Sequence, residues 1–312
     1  MVRLIAFLVG FVFAGMLLIS LIGGLADYFQ NPPEPDVAHE FHLEPRALAL
    51  ASNGPLGTFD KAQLQRGFQV YKEVCSACHS LSLVSFRDLK ALGYEEPEIK
   101  KIAEDWATQV PSVNPDTGEA ATRKALPSDR FPSPYANETA ARAANNNALP
   151  PDLSLITKNR EGGAAYVHSL LTGYRNPDTY KNEHGQPLPA EAKPAQTLDF
   201  NPYFANLNLA MPQPLTANGQ VSYGPGNPAP TVDQMATDVA AFLVWTAEPN
   251  LERRHAAGIA VSIFLLIGSI LGYFAYRQIW RDAKRKVRVT GALDPENKAK
   301  SNRAKGKAGI AG

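Results

Sequence analysis

Apolar positions along the chain form two unbroken runs separated by short periodic stripes. The first run is Leu4–Ala26, uncharged between Arg3 and Asp27, and the second is Ala256–Tyr276, uncharged between His255 and Arg277. Each is long enough to cross a bilayer as a helix, which takes about 20 residues. Between them, Leu64, Phe68, Tyr71, Cys75 and Cys78 alternate spacings of four and three, the signature of one helical face. Asp60 is a candidate N-cap with Gln63 three residues on, so a helix is predicted over 60–78 with both cysteines on its buried side. A second short helix is predicted over Gly163–Leu171. A third begins at Thr231, which forms a capping box with Gln234. Its stripe is Val232, Met235, Ala236, Val239, Phe242 and Leu243, and it ends before Pro249. Gly67 permits the helices near 60–78 and 231–247 to approach closely. Residues 27–58, 111–151 and 173–230 are proline- or loop-rich and predict irregular connections.

This pattern divides the chain into an N-terminal hydrophobic segment (1–26), a head (27–252), a transmembrane helix (253–280) and a basic tail (281–312). Charge orients them. The head carries 27 acidic against 17 basic residues, whereas the tail from Lys284 carries nine basic residues against Asp294 and Glu296. By the positive-inside rule the tail is cytoplasmic and the head lies on the periplasmic side of an inner (plasma) membrane. Arg3 before the first run, and the small residues Gly24 and Ala26 at its end, suit either a cleaved signal peptide or a retained anchor. No motif points to a nucleic-acid partner.

Only two cysteines occur, and they fall in Cys75-Ser-Ala-Cys78-His79. This is the c-type haem attachment sequence: two thiols add to the haem vinyl groups, and the adjacent histidine is placed to ligate iron. A thioredoxin-like pair needs a strand before it and a βαβ surround, and a helix is predicted here instead. Zinc needs four ligands, and a disulfide across so short a loop is strained and closes almost nothing. A low-spin iron needs a second axial ligand. Among the four methionines, Met1 and Met16 belong to the first run and Met235 to a core stripe. Met211 sits in Leu209-Ala-Met-Pro-Gln-Pro-Leu215, a loop stiffened by two prolines. Such a strap can hold a weakly binding thioether in place. His39, His42, His184 and His255 lie in irregular or membrane-bordering sequence, and His168 reads as packing or surface.

Five blocks in order resemble the cytochrome c1 family, the haem subunits of quinol–cytochrome c oxidoreductase (bc1) complexes. They are Arg66–His79, Phe131–Tyr135 with Glu138–Ser154, Tyr166–Tyr174, Asn201–Phe204 with Met211–Leu215, and Val232–Pro249 before an anchor helix. The resemblance covers residues 55 to 285. It implies a mainly α, class I cytochrome c-like domain with long Pro-rich loops, one covalently bound haem c and a C-terminal transmembrane helix. It implies His79 and Met211 as axial ligands, Arg160 and Tyr166 near the haem propionates, and Asn145 and Pro151 lining the pocket. It further implies electron transfer from the Rieske iron–sulfur protein to a c-type cytochrome, with cytochrome b as neighbour, in a dimeric complex. Electron transfer needs no acid, base or nucleophile from the chain, so no independent catalysis is expected. Two departures stand out: the chain lacks the extra cysteines of some members, and Gln213 occupies a position that often holds proline or a small residue. An unrelated membrane-anchored haem carrier would not share these blocks. A sensor or catalyst would need an open iron site, with Met211 not bound.

Overall fold

The computed structural model describes residues 2–31, 37–286 and 299. It divides into two units, Met1–Asn53 with Phe59–Pro249 and Gly54–Thr58 with Asn250–Gly312. Most of the tail expected over 281–312 and the Pro-rich stretch 32–36 lie outside the described residues. Nine helices are described: α1 (Val2–Gln30), α2 (Val37–Phe41), α3 (Lys61–Glu73), α4 (Glu96–Glu104), α5 (Glu138–Ala144), α6 (Ile156–Asn159), α7 (Gly163–Thr172), α8 (Val232–Ala247) and α9 (Leu251–Lys286). The strands are few and short. β1 (Val110–Val113) pairs antiparallel with β2 (Ala120–Arg123), and β3 (Asp199–Phe200) with β4 (Asn208–Leu209). The fold class is mainly α.

The first unit is built on the crossing of α3 and α8. Asp60 caps α3 by accepting from Ala62 N and Gln63 N, which satisfies two of the four amides a helix start leaves open. A Cβ placed on Gly67 would stand 2.1 Å from the Asp238 carbonyl oxygen and 2.7 Å from Phe242 Cβ. The missing side chain is therefore what lets the two backbones meet. An ion pair flanks that contact: Arg66 Nε donates to Asp238 Oδ2 at 2.9 Å, and Gln63 and Gln234 donate to Asp238 Oδ1 at 3.1 and 2.9 Å. A fully buried carboxylate is tolerable only with such a set of donors. Around the crossing lies an aromatic core, in which Phe68 and Tyr71 each meet the rings of Trp106, Phe131 and Phe242. A smaller cluster of Phe41, Leu188, Phe200 and Leu207 supports the second hairpin.

Three local expectations change. The helix predicted to reach residue 78 stops at Glu73, and a 3-10 turn over Cys75–Ala77 follows. Ser76 Oγ donates to the Lys72 carbonyl at 2.7 Å and takes the acceptor that helix continuation would use. At α8, Thr231 accepts from Gln234 N, but the Gln234 amide turns to Asp238 rather than back to the cap. The stretch 111–151 holds the β1–β2 hairpin and α5 within its loops. Met235 is fully buried, as its stripe position required. His168 is buried as well, with Nε2 3.0 Å from Asp233 Oδ1.

In the second unit α9 is continuous from Leu251, with His255 Nδ1 donating to the Gly57 carbonyl at 3.2 Å. Val2–Gln30 and Leu251–Arg281 are both long and apolar enough to cross a membrane, and neither buries its apolar window within the molecule.

Candidate functional site

The first unit contains a cavity of about 680 Å³, within the range of sites that enclose a small molecule or cofactor. Its walls are chiefly apolar, with Val74, Leu153, Ile156, Val167, Val239 and Leu243 among the lining side chains. Val239 and Leu243 are four apart on α8, so the same stripe that makes the helix core also makes one wall. All eight residues singled out in the sequence border this space. Cys75, Cys78 and His79 enter from the 3-10 turn after α3, and Asn145 and Pro151 from the loop after α5. Arg160 comes from the end of α6, Tyr166 from α7, and Met211 from the segment after β4.

The histidine is set for ligation. Its Nδ1 lies 2.8 Å from the Pro151 carbonyl oxygen. A carbonyl can only accept, so Nδ1 carries the proton and Nε2 keeps its lone pair. Burial also lowers the His79 pKa below its ordinary value, against smaller opposing effects of the Pro151 carbonyl and Asp152. The backbone is fixed too: Tyr71 donates its hydroxyl to the His79 carbonyl at 2.9 Å. Asp152 accepts from Ser80 Oγ and Ser82 N, both at 2.7 Å, and from Ser154 N at 2.8 Å. Burial raises the Asp152 carboxyl, but these bonds outweigh it and hold the group below the usual carboxylate value.

The thiols are free, and burial, with Cys78 adding to it, pushes Cys75 up to about 12. Two thiols three residues apart on the wall of one apolar cavity suit attachment of haem through both sulfurs. Asn145 Nδ2 donates to the Tyr135 hydroxyl at 2.9 Å and to the Ala141 carbonyl at 2.7 Å. Burial raises the Tyr166 phenol, with the Arg160 charge opposing. Arg160 itself donates to the Asn159 carbonyl at 3.1 Å, and both side chains line the cavity.

The methionine strap is held from several sides. The β3–β4 ladder precedes it, closed by Asn201 N donating to the Leu207 carbonyl at 2.8 Å, with Leu207 at φ 65° in the left-handed region. Asn201 is fully buried and donates Nδ2 to the Leu170 carbonyl of α7 at 2.8 Å. Gln213 does not slacken the strap: its Nε2 donates to the Leu215 carbonyl at 2.9 Å, and Gln220 closes on Pro214 O at 2.8 Å. Tyr174 donates its hydroxyl to the Met211 carbonyl at 2.9 Å.

The sequence did not single out Tyr135, Tyr174 or Asn208. The first two lie inside family-like blocks, which was a usable signal. Asn208 had none: it lines the cavity, and its Oδ1 is buried without a partner among the described residues. Its Nδ2 donates to the Ala192 carbonyl at 3.4 Å, so only the oxygen is left over at the cavity wall.

An apolar cavity joining two half-buried thiols, a tautomer-fixed imidazole and a thioether on a stiff strap suits haem attached through both sulfurs. With its mainly helical head and its membrane-capable helices, the protein is a c-type cytochrome of the membrane-attached kind. The sequence pattern of the Cytochrome C1 family matches residues 50–283. The chain is 44% identical over 256 residues to "Cytochrome c1 1, heme protein, mitochondrial" of Arabidopsis thaliana, covering 82% of this chain and 78% of that protein. It is 42% identical over 236 residues to "Cytochrome c1" of Rhodospirillum rubrum, covering 74% and 85%. It is 41% identical over 262 residues to "Cytochrome c1, heme protein, mitochondrial" of Saccharomyces cerevisiae, covering 84% and 80%. The chain belongs to the cytochrome c1 family, whose members carry one covalently bound haem c and serve as electron-transfer subunits of the bc1 complex.

Proposed function

We propose that this subunit takes one electron from the Rieske iron–sulfur protein and passes it to a c-type cytochrome, beside cytochrome b in a dimeric bc1 complex. The head works on the periplasmic side of the inner membrane and the basic tail is cytoplasmic. The observation that carries the reading is the convergence of Cys75, Cys78, His79 and Met211 on one apolar cavity. When bound, haem supplies a reversible one-electron iron couple. Cys75 and Cys78 would hold it through thioethers. His79 would offer Nε2, and Met211 its sulfur, to the iron. Arg160 and Tyr166 would meet the carboxylate groups of the haem, Arg160 through a charge-assisted contact. The apolar walls exclude water, so the charge felt at the iron is set by fixed groups.

The acidic head suits a basic acceptor, because opposite fields speed encounter at low salt. The acidic stretch on α4 contributes to that field while serving its own helix. Glu95 and Glu98 form the helix cap, Asp105 pairs with Lys101 at 2.9 Å, and Glu96 with Lys90 at 3.5 Å. The test is rapid-mixing kinetics in membranes: quinol should reduce haem c, and depletion of the Rieske protein should abolish that step. Reduction by quinol that survives Rieske depletion would overturn the proposed electron path.

A further inference from the structure

We infer that Tyr174 is a positioning residue for the iron site, acting through the Met211 carbonyl to keep the thioether presented to the cavity. The inference rests on Met211 being the sixth ligand, as proposed above. It comes from an imbalance between the two ligand-bearing segments. The His79 side is secured by side-chain bonds to the ligand's own ring, to its backbone carbonyl and, through Asp152, to the residues after it. On the Met211 side the bond of Asn201 to the Leu170 carbonyl docks the chain on α7 ten residues before the ligand, not at the ligand itself. A thioether has no N–H to tie to a second group, so its direction follows its backbone. The two residues Pro212 and Pro214 stiffen that backbone but bring no donor to it. The hydrogen bonds of Gln213 and Gln220 close the strap on its own later residues, Leu215 and Pro214. They shape the loop without docking Met211 onto the helical frame.

The Tyr174 hydroxyl supplies that docking. It donates to the Met211 carbonyl at 2.9 Å across 37 residues of sequence. Tyr174 directly follows Gly173, the C-cap of α7, and α7 also provides Tyr166, Val167 and Leu171 to the cavity wall. Gly173 is tightly enclosed: a Cβ there would meet the Ser169 carbonyl oxygen and the Tyr203 ring, both at 2.4 Å. The tyrosine thus leaves α7 from a spot with little freedom to shift. One rigid element both walls the haem space and sets the height of the methionine. Losing the bond should leave the fold intact and let the strap lift more often.

The test uses the detergent-solubilised full chain with haem attached. Tyr174→Phe keeps the ring and its packing and removes only the donor. Tyr180→Phe is the control, since it removes a hydroxyl near Phe41 O in the smaller cluster. Both variants should carry covalent haem in the wild-type amount. Tyr174→Phe should bind cyanide in the ferric state about tenfold faster, the change expected for one lost hydrogen bond, and its sulfur-to-iron charge-transfer band should weaken. Tyr180→Phe should match wild type in both. Equal cyanide rates and equal bands for Tyr174→Phe and wild type would overturn the inference, as would equal acceleration in the two variants. Met211→Leu separates the layers. If it opens the iron to cyanide while Tyr174→Phe does not, only the positioning role fails. If it changes neither the band nor the rate, the Met211 assignment itself fails.

Discussion

Replacing Gly67 by alanine tests the contact on which the head is built. The added methyl would stand 2.1 Å from the Asp238 carbonyl oxygen and 2.7 Å from Phe242 Cβ. Ordinary carbon contacts lie at about 3.5–4 Å, so α3 and α8 must part by more than an ångström. Overpacking of this kind costs about 1–3 kcal/mol. Parting also stretches the bonds from Arg66 and Gln63 to a carboxylate with no exposure of its own, adding about 1–3 kcal/mol for an imperfectly satisfied buried group. Alanine returns about 1 kcal/mol of helix propensity. The net loss is about 3 kcal/mol, which lowers Tm by about 6–12 °C for a unit of this size. The assay is thermal unfolding of the haem-loaded protein, followed by far-UV circular dichroism. Gly224→Ala is the control, because its nearest neighbour would be a side-chain nitrogen 3.9 Å away and its φ is not positive. Gly224→Ala should change Tm by under about 2 °C. If Gly67→Ala also stays within that margin, the two helices do not meet as described.

Three further predictions use other parts of the head. Asp238→Ala leaves the half-buried Arg66, with Gln63 and Gln234, without their shared acceptor and should cost about 1–3 kcal/mol in a denaturant titration; a loss under about 0.5 kcal/mol would mean water already serves those donors. Asp152 has a depressed pKa when folded, so its stabilising contribution is complete above the unfolded carboxylate value of about 4 and is lost as pH falls through the lower folded value. Asp152→Asn should therefore be less stable than wild type at neutral pH, and the two unfolding midpoints should converge in acid; parallel curves down to the acid limit would refute this. His168 is buried with Nδ1 unpaired among the described residues, and burial lowers its pKa. His168→Phe should leave stability unchanged or raise it by up to about 1 kcal/mol, and a clear loss would assign real weight to the Asp233 contact.

Much of this was legible from residues alone because the signals were local. The Asp60 and Thr231 caps, the apolar stripes and the Cys75–His79 motif are short-range patterns, and Gly67 marks a close approach because nothing else demands a glycine there. The end of α3 was misjudged because the helical spacing of Cys75 and Cys78 continues through a 3-10 turn, where positions three apart still share a side. The β1–β2 hairpin escaped because its residues, Val-Pro-Ser-Val and Ala-Ala-Thr-Arg, carry little alternation. The polar clamps on the site were out of reach in another way. Tyr174 to Met211, Asn201 to Leu170 and His79 to Pro151 join residues 31 to 72 apart, and no periodicity encodes such pairings. Asn208 gave no sign at all, since a single asparagine near a turn reads as a turn residue.

The most direct test of the central claim is a reduced-minus-oxidised visible spectrum of the purified membrane protein, recorded with and without carbon monoxide. A site closed by His79 and Met211 gives a sharp low-spin c-type band that carbon monoxide leaves unchanged. A covalent haem whose reduced spectrum shifts under carbon monoxide would contradict the Met211 ligation and the electron-transfer reading built on it.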